Sequence, residues 1–148
     1  MNFYYTENEC NKAIATITED ITKEHAENPD YKWGTNDCAC LLVRYDKALR
    51  GADNSNAEIT FKYNNTREFL VKLKREGFTV EEYLEFCGYE IIKNKRPIVG
   101  DVAFNEGAMI ATNKGWIGIT EKHSGIIRAK QMMYLELNIN IIARPIRS

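Results

Sequence analysis

The sequence predicts an α+β fold in which N-terminal helices pack on a mostly antiparallel β-sheet. Helical patterns occupy residues 1–88, and strand patterns follow over residues 89–148. Helices that precede the strands in this way are typical of α+β domains, whereas a parallel α/β sheet needs the two to alternate. The length of 148 residues fits one domain, and no repeat, linker or low-complexity tract divides it.

Composition and charge argue against two classes of partner. Hydrophobic residues make up 44% of the chain and charged residues 28%, as in globular proteins. The net charge of −1 gives no general attraction to nucleic acid, so we expect no nucleic-acid partner. The sequence contains no run of about 18 apolar residues and no basic segment followed by an apolar one, so we predict neither a membrane span nor a secretory signal.

The four cysteines do not form a recognisable metal or disulfide pattern. They are Cys10, Cys38, Cys40 and Cys87. The spacing of Cys38 and Cys40 is tighter than the Cys-x₂₋₄-Cys of zinc sites, and no histidine pair accompanies it. We therefore predict no metal and no cofactor. For Cys10, Cys40 and Cys87 we expect structural roles.

The first helix is predicted from about Glu7 to His25. Thr6 and Glu9 have the spacing of a capping box, in which each side chain accepts a hydrogen bond from the backbone of the other residue. His25 then closes the helix, where a solvent-facing cation is favoured. The apolar positions recur at helical spacing on one face: Cys10, Ala13, Ile14, Ile17 and Ile21.

The second helix is predicted to begin at Cys38 and to end at Gly51. The Asp37 carboxylate can cap it by accepting a hydrogen bond from a free amide of the first turn. A thiol in that turn lies near a partial positive charge, which favours the thiolate, although the charge of Asp37 opposes this. One face of the helix is predicted to be buried: Cys38, Leu41, Leu42, Tyr45 and Leu49.

Two shorter helices are predicted before the sheet. The third runs from about Thr66 to Glu76, and the fourth from about Val80 to Cys87, with Gly77 and Gly88 as their stops. Thr79 and Glu82 form a second capping box. The third helix is predicted to bury Phe69, Leu70 and Leu73.

The remaining chain alternates short apolar runs with turns, which indicates strands. The predicted strands are Glu90–Ile92, Asp101–Phe104, Met109–Thr112, Trp116–Thr120, Gly125–Ala129 and Met133–Ala143. Four aromatic residues in irregular polar segments fit a protein–protein interface and loops pinned to the core equally well: Tyr4, Tyr5, Phe61 and Tyr63.

Short segments in a fixed order resemble the NlpC-type branch of the papain-like cysteine hydrolases. Residues 31–38 (YKWGTNDC) are similar to the aromatic-Gly-x-x-Asp-Cys segment of that family, with Cys38 at the nucleophile position. Residues 97–102 (PIVGDV) resemble its Pro-x-x-Gly-Asp step into the first core strand. Ser124–Ile126 and Ile141–Ile146 look like the closing strands of its phage-encoded members. The resemblance implies a single papain-like domain over residues 1–148.

The catalytic pattern of that family is incomplete in this chain. Gly107–Ile110 (GAMI) falls where these peptidases carry His-Val-Gly-Ile, so the base histidine is missing. A cysteine nucleophile needs such a base within hydrogen-bond reach, and general-base assistance contributes about 10²–10⁴-fold in rate. His123, in a predicted turn one hairpin later, is the remaining candidate base. Cys38 is therefore a nucleophile, a relic of one, or a small buried residue.

These observations favour a non-catalytic phage virion protein, associated with the tail or connector, on an NlpC-like scaffold. Its partners would be other virion or tail proteins, and it would be found in the virion or in the host cytoplasm during assembly. The alternative is a cysteine peptidase or amidase that cleaves peptidoglycan peptides with Cys38 as nucleophile. An intracellular small-ligand-binding domain is a third reading, since fold alone does not determine function.

Overall fold

The computed structural model describes residues 3–27, 38–93, 95–105, 107–120, 123–129 and 141–147. Four helices come first: α1 (Glu7–Glu27), α2 (Cys38–Arg50), α3 (Thr66–Arg75) and α4 (Val80–Phe86). The strands follow: β1 (Tyr89–Ile92), β2 (Val102–Asn105), β3 (Gly107–Thr112), β4 (Gly115–Thr120), β5 (His123–Ala129) and β6 (Ile141–Pro145). The predicted α+β class, with helices before strands, is confirmed.

The strands form one sheet in the order β1-β6-β2-β3-β4-β5, and every described pairing is antiparallel. Strands β2 to β5 form a meander. The last strand, β6, returns to lie between β1 and β2, pairing Ala143 with Ile91 on one side and with Val102 on the other. Because β6 joins β1 to the meander, the sheet has only β1 and β5 as edges among the described strands.

The two faces of the sheet bury different sets of side chains. Alternate residues of a strand point to opposite faces. In β3, Ala108 and Ile110 join the main core with the helices, whereas Ala111 joins a smaller cluster with Trp116 on the other face. Helix α2 packs against β3 and β4, and α1 packs against α2 and β5. The helices therefore cover one face of the sheet.

The structure contains both predicted capping boxes and the predicted apolar face of α1. The amide of Thr6 donates to the Glu9 carboxylate at 2.8 Å, and the amide of Glu9 donates to the Thr6 hydroxyl at 3.2 Å. Thr79 and Glu82 exchange the same two bonds at the start of α4. The predicted apolar face of α1 is buried in full: Cys10, Ala13, Ile14, Ile17 and Ile21.

Two sequence expectations differ from the structure, and a third is tested only in part. Leu70, predicted to face inward, is 39% exposed, because α3 presents only Phe69 and Leu73 to the core. His123 was expected in a turn, but it begins β5 and pairs with Thr120. The last strand is described over Ile141–Pro145, and the predicted start near Met133 lies outside the described residues.

Phe61 and Tyr63 pin their irregular segment to the core. Tyr63 is buried, and its ring meets Phe61 and Phe69 with centroids 5.9 Å and 5.0 Å apart. Near the N-terminus, Arg144 lies over the Tyr4 ring and Arg50 over the Tyr5 ring. Packing against the core therefore holds for Phe61 and Tyr63, whereas Tyr4 is 38% exposed. No helix in the described part of the chain is long and apolar enough to cross a membrane.

Candidate functional site

The candidate site lies at the beginning of α2. Cys38 is the first residue of this helix, as the sequence predicts. The preceding segment, including Trp33 and the proposed cap Asp37, lies outside the described residues, and so does the Cys38 side chain. The cap and the rotamer of the thiol stay predictions. What the structure gives is the surroundings of the first helical turn.

Those surroundings are apolar. Ala39 and Leu42, in the first two turns of α2, line a small cavity together with Phe104 of β2 and Ala108 of β3. The cavity has a volume of about 10 Å³, close to the smallest space that holds one water molecule. Ala108 is only 1% exposed. The wall that β3 presents to this part of α2 therefore supplies packing and no acid–base group.

The two histidines lie on neither β3 nor β4, the strands that pack against α2. The sequence resemblance to NlpC-type peptidases predicts the base at the position of Gly107, where β3 begins. His123 begins β5, which is separated from β3 by β4. Strands lie about 4.8 Å apart, so β5 is about 10 Å from β3. Strand β5 also packs against α1. The His25 and His123 side chains lie outside the part of the chain that the structure describes.

The turn that leads into β2 is held by a buried ion pair. Asp101 is fully buried and accepts two hydrogen bonds from Arg144, at 2.9 Å and 3.0 Å. Its second carboxylate oxygen also accepts a hydrogen bond from the backbone amide of Ile98 at 2.8 Å. Each carboxylate oxygen therefore has a donor, so this Asp of the Gly-Asp step serves the backbone turn and the β6 strand.

Gly100 precedes this aspartate and has a φ of +94°. A Cβ at this position would lie 2.4 Å from the Cys10 sulfur. The Gly100 carbonyl accepts a hydrogen bond from the Tyr45 hydroxyl at 2.8 Å. The turn thus touches α1 and α2 at once, and only glycine fits there without a shift of the neighbours.

A second buried charge cluster lies at the other end of α2. The Asp46 carboxylate is fully buried and accepts bonds from Arg50 at 2.8 Å, Tyr89 at 2.8 Å and Ser55 at 2.5 Å. The Arg50 guanidinium also donates to the carbonyls of Gly88 and of residue 146, at 2.9 Å and 2.8 Å. All of its partners are internal, so the cluster is structural.

Sequence reasoning missed both buried ion pairs. Asp46 and Arg50 are spaced i,i+4 on a helix, a pattern that could have flagged their pairing. Asp101 and Arg144 are 43 residues apart in sequence, and no local signal joins them. Burial of the two carboxylates was not predicted either, since charged residues are usually exposed.

The other cysteines are poorly suited to nucleophilic chemistry. Cys10 and Cys87 are 2% exposed, as the sequence predicts for core residues. Burial raises the pKa of the Cys10 thiol, and it raises the pKa of Cys87 to about 12. Cys40 is partly buried, with its sulfur 3.9 Å from the Tyr63 hydroxyl. Among the described residues, no group of three or more His, Cys, Asp or Glu side chains could hold a metal ion.

Comparison with known proteins gives one match. No curated protein and no solved structure is significantly similar to the chain. The family model described as a domain of unknown function, DUF6950, matches residues 12–136. This match includes all of α2, α3 and α4 and the strands β1 to β5. The chain therefore belongs to the DUF6950 family.

Proposed function

We propose that this protein is a non-catalytic structural or assembly protein of a phage virion, built on an NlpC-like hydrolase scaffold. It would dock on tail or connector proteins. The observation that carries the proposal is the apolar contact between α2 and β3. Ala108 takes part in this contact, and β3 begins with Gly107 where the related peptidases carry their base histidine.

The scaffold half of the proposal is supported by the order and packing of three elements. A helix begins at Cys38 and packs against β3. The Gly100-Asp101 turn leads directly into β2, which pairs with β3. These elements stand in the order that the resemblance implies, and the helix start is adjacent to the strand expected to hold the base.

The non-catalytic half is supported by the lack of a proton acceptor on that strand. A cysteine nucleophile needs a base within about 2.6–3.2 Å, or somewhat farther in an unliganded enzyme. His123 lies on a strand about 10 Å from β3, by the usual strand spacing. Without such a base, Cys38 would have no group to take its proton or to protonate a leaving amine.

One observation favours the peptidase or amidase alternative. Cys38 stands in the first turn of a 13-residue helix, where the free amides favour a thiolate. Such a thiolate could attack a peptide carbonyl in peptidoglycan. The two functions therefore differ in the reactivity of one sulfur, which can be measured directly.

The decisive experiment measures alkylation of each cysteine by iodoacetamide near pH 7, together with hydrolysis of peptidoglycan fragments. We expect Cys38 to react no faster in the folded protein than in urea, and we expect no hydrolysis. Buried Cys10 and Cys87 should react slowly and serve as internal controls. Rapid, selective alkylation of Cys38, with hydrolysis that Cys38→Ala abolishes, would instead establish the peptidase.

A restoring substitution tests the scaffold separately. By strand alternation, Ala108 and not Gly107 lies on the face of β3 that meets α2, so Ala108→His directs an imidazole toward the start of α2 and, if the fold is NlpC-like, should speed alkylation of Cys38. Lowering a thiol pKa from about 8.5 to about 7.5 raises the thiolate fraction at pH 7 about eightfold. Asn113→His, in the exposed turn that follows β3, is the matched control. Equal rates in the two variants would argue against the proposed scaffold.

A further inference from the structure

A groove beside the buried face of α1, with which it shares Ile14, carries no assigned role. It has a volume of about 750 Å³ and runs between α1 and the turn that joins β3 to β4. The α1 residues that line it recur at three- and four-residue spacing from Asn11 to Ala26. They therefore form one continuous face of the helix. With a rise of 1.5 Å per residue, that face is about 22 Å long.

Most of the surface that lines the groove is apolar, but two lysines and one glutamate, Glu19, also line it. Lys23 enters it from α1 and Lys114 from the β3–β4 turn. Within the described ranges, neither lysine has a carboxylate within ion-pair distance, although Glu19 is spaced i,i+4 from Lys23. Neutral donors and acceptors also line the groove, among them Asn11 and Thr22.

Thr18, at the middle of the groove, gives a second indication that this surface lacks a bound partner. Its hydroxyl oxygen is buried and has no hydrogen-bond partner among the described residues. The neighbouring Thr16 instead bonds back to the carbonyl of Lys12 at 3.0 Å, the usual solution for a helical threonine. Buried polar groups are nearly always paired in native proteins, so an unpaired one in a groove is unusual.

We propose that this groove binds an extended peptide segment of a partner protein, and that the segment carries a carboxylate side chain. A face about 22 Å long matches six or seven extended residues at about 3.3 Å each. The two lysines outnumber the single glutamate and so complement an acidic side chain, and the amide and hydroxyl groups along the groove suit a peptide backbone. A small molecule would need deeper enclosure than this open groove offers.

This inference rests on the proposed docking role and names the chemistry of the docked segment. It uses α1 and the β3–β4 turn, whereas the proposed function is tested at Cys38. Either test can therefore fail without changing how the result of the other is interpreted.

The test selects peptides from a random heptapeptide display library on the full-length protein. Ala15→Trp fills the groove from an exposed position and should abolish binding of the selected peptides, whereas Thr16→Trp, exposed on the same helix but outside the groove, should not. Selected peptides should be enriched in Asp or Glu. Lys23→Gln and Lys114→Gln should each weaken their binding about tenfold, and Lys12→Gln, outside the groove, should leave it unchanged.

Three results would overturn the inference: no enriched peptide, enriched peptides without acidic residues, or binding that survives Ala15→Trp. Circular dichroism of both tryptophan variants checks that α1 stays folded. Sedimentation analysis provides the last arm. Self-association that Ala15→Trp abolishes would assign the groove to a second copy of the chain and would refute the partner peptide.

Discussion

At the residue scale, the buried thiols and phenols are weak acids that burial keeps protonated. Tyr45 and Tyr89 are almost completely inaccessible, and burial raises the pKa of each well above its ordinary value. Burial also raises the pKa of Cys10 and of Cys87. These groups are neutral in the fold near pH 7, and their ionisation would place an unpaired charge in the core.

This burial predicts a loss of stability at alkaline pH. The unfolded Cys87 thiol releases its proton near the ordinary thiol pKa of 9.0, whereas the folded thiol holds it until about pH 12. Cys87 therefore contributes fully below pH 9, and its contribution falls as the pH rises from 9 towards 12, by about 1 kcal/mol per pH unit. The free energy of unfolding in urea, measured from about pH 8 to about pH 10.5, should decline.

Removing the thiol tests its share of that decline. Cys87→Ala should flatten the slope of unfolding free energy against pH. Val80→Ala, a partly buried non-titrating neighbour on α4, should lower stability while leaving the slope unchanged. Identical slopes for the wild type and Cys87→Ala would show that the thiol ionises alike in the folded and unfolded states.

Individual residues were predictable where the signal is local. The Thr79–Glu82 capping box depends on three-residue spacing, and the structure contains both of its bonds. Leu70 was wrongly placed in the core because α3 is short. Its neighbours Phe69 and Leu73 already fill the buried face, and a ten-residue pattern does not fix which flank is covered.

At the element scale, the turn before β2 joins the helices to the sheet through a glycine. Gly100 touches Cys10 of α1 and Tyr45 of α2, and its amide donates to the carbonyl of Ala111 on β3 at 2.9 Å. One residue without a side chain thus sets how closely the two helices approach the middle of the sheet.

Gly100→Ala should be far more destabilising than an alanine at another left-handed glycine. The positive φ costs about 1–2 kcal/mol for any L side chain, and overpacking against Cys10 adds about 1–3 kcal/mol. Gly77→Ala is the matched control, because its φ is +97° but a Cβ there meets nothing within 4 Å. Urea unfolding of both variants measures the difference. Equal losses would mean that the α1 contact is loose.

Helix and strand identities followed from periodicity, whereas the order of strands in the sheet did not. Five of the six predicted strands overlap the observed ones closely, since turns and alternation are local. The position of β6 between β1 and β2 depends on pairing between residues more than 35 positions apart. No periodicity in the chain reports such pairing.

At the scale of the whole molecule, the Arg50 side chain connects the helical half with the last described residues of the chain. Arg50 is the last residue of α2. Its side chain pairs with Asp46 and donates hydrogen bonds to the carbonyls of Gly88 and of residue 146. Its guanidinium also lies 5.4 Å from the centroids of the Tyr5 and Tyr89 rings. One side chain therefore contacts the N-terminal segment, α2, β1 and the end of β6.

Arg50→Met should destabilise the whole fold by about 3–5 kcal/mol, because it leaves the buried Asp46 carboxylate without a cation. Arg50→Lys keeps the charge but loses the planar fork and should lie between this variant and the wild type. Arg44, on the same helix as Arg50, forms an exposed pair with Glu24 of α1; Arg44→Met breaks this pair and should cost less than about 1 kcal/mol. Chemical denaturation compares the three variants. Similar losses of unfolding free energy for Arg50→Met and Arg44→Met would contradict the connecting role of Arg50.

The candidate site was predictable only in part. The start of α2 at Cys38 followed from local sequence, and so did the lack of a histidine near Gly107. The apolar nature of the contact between α2 and β3 required the structure, because it brings Ala39 and Ala108 together across 69 residues of chain. The groove along α1 was missed for the same reason, since its second wall is a distant hairpin turn.

The two ends of the described chain meet near Arg50. The amide of Arg147 donates to the carbonyl of Phe3 at 2.6 Å, and Tyr4 forms a β-bridge with residue 146. A linker of a few residues would therefore join residue 147 to residue 3 without distorting the fold, which permits circular permutation. The same geometry lets the domain be carried as an insertion in a surface loop of another protein, entering and leaving its host at one point.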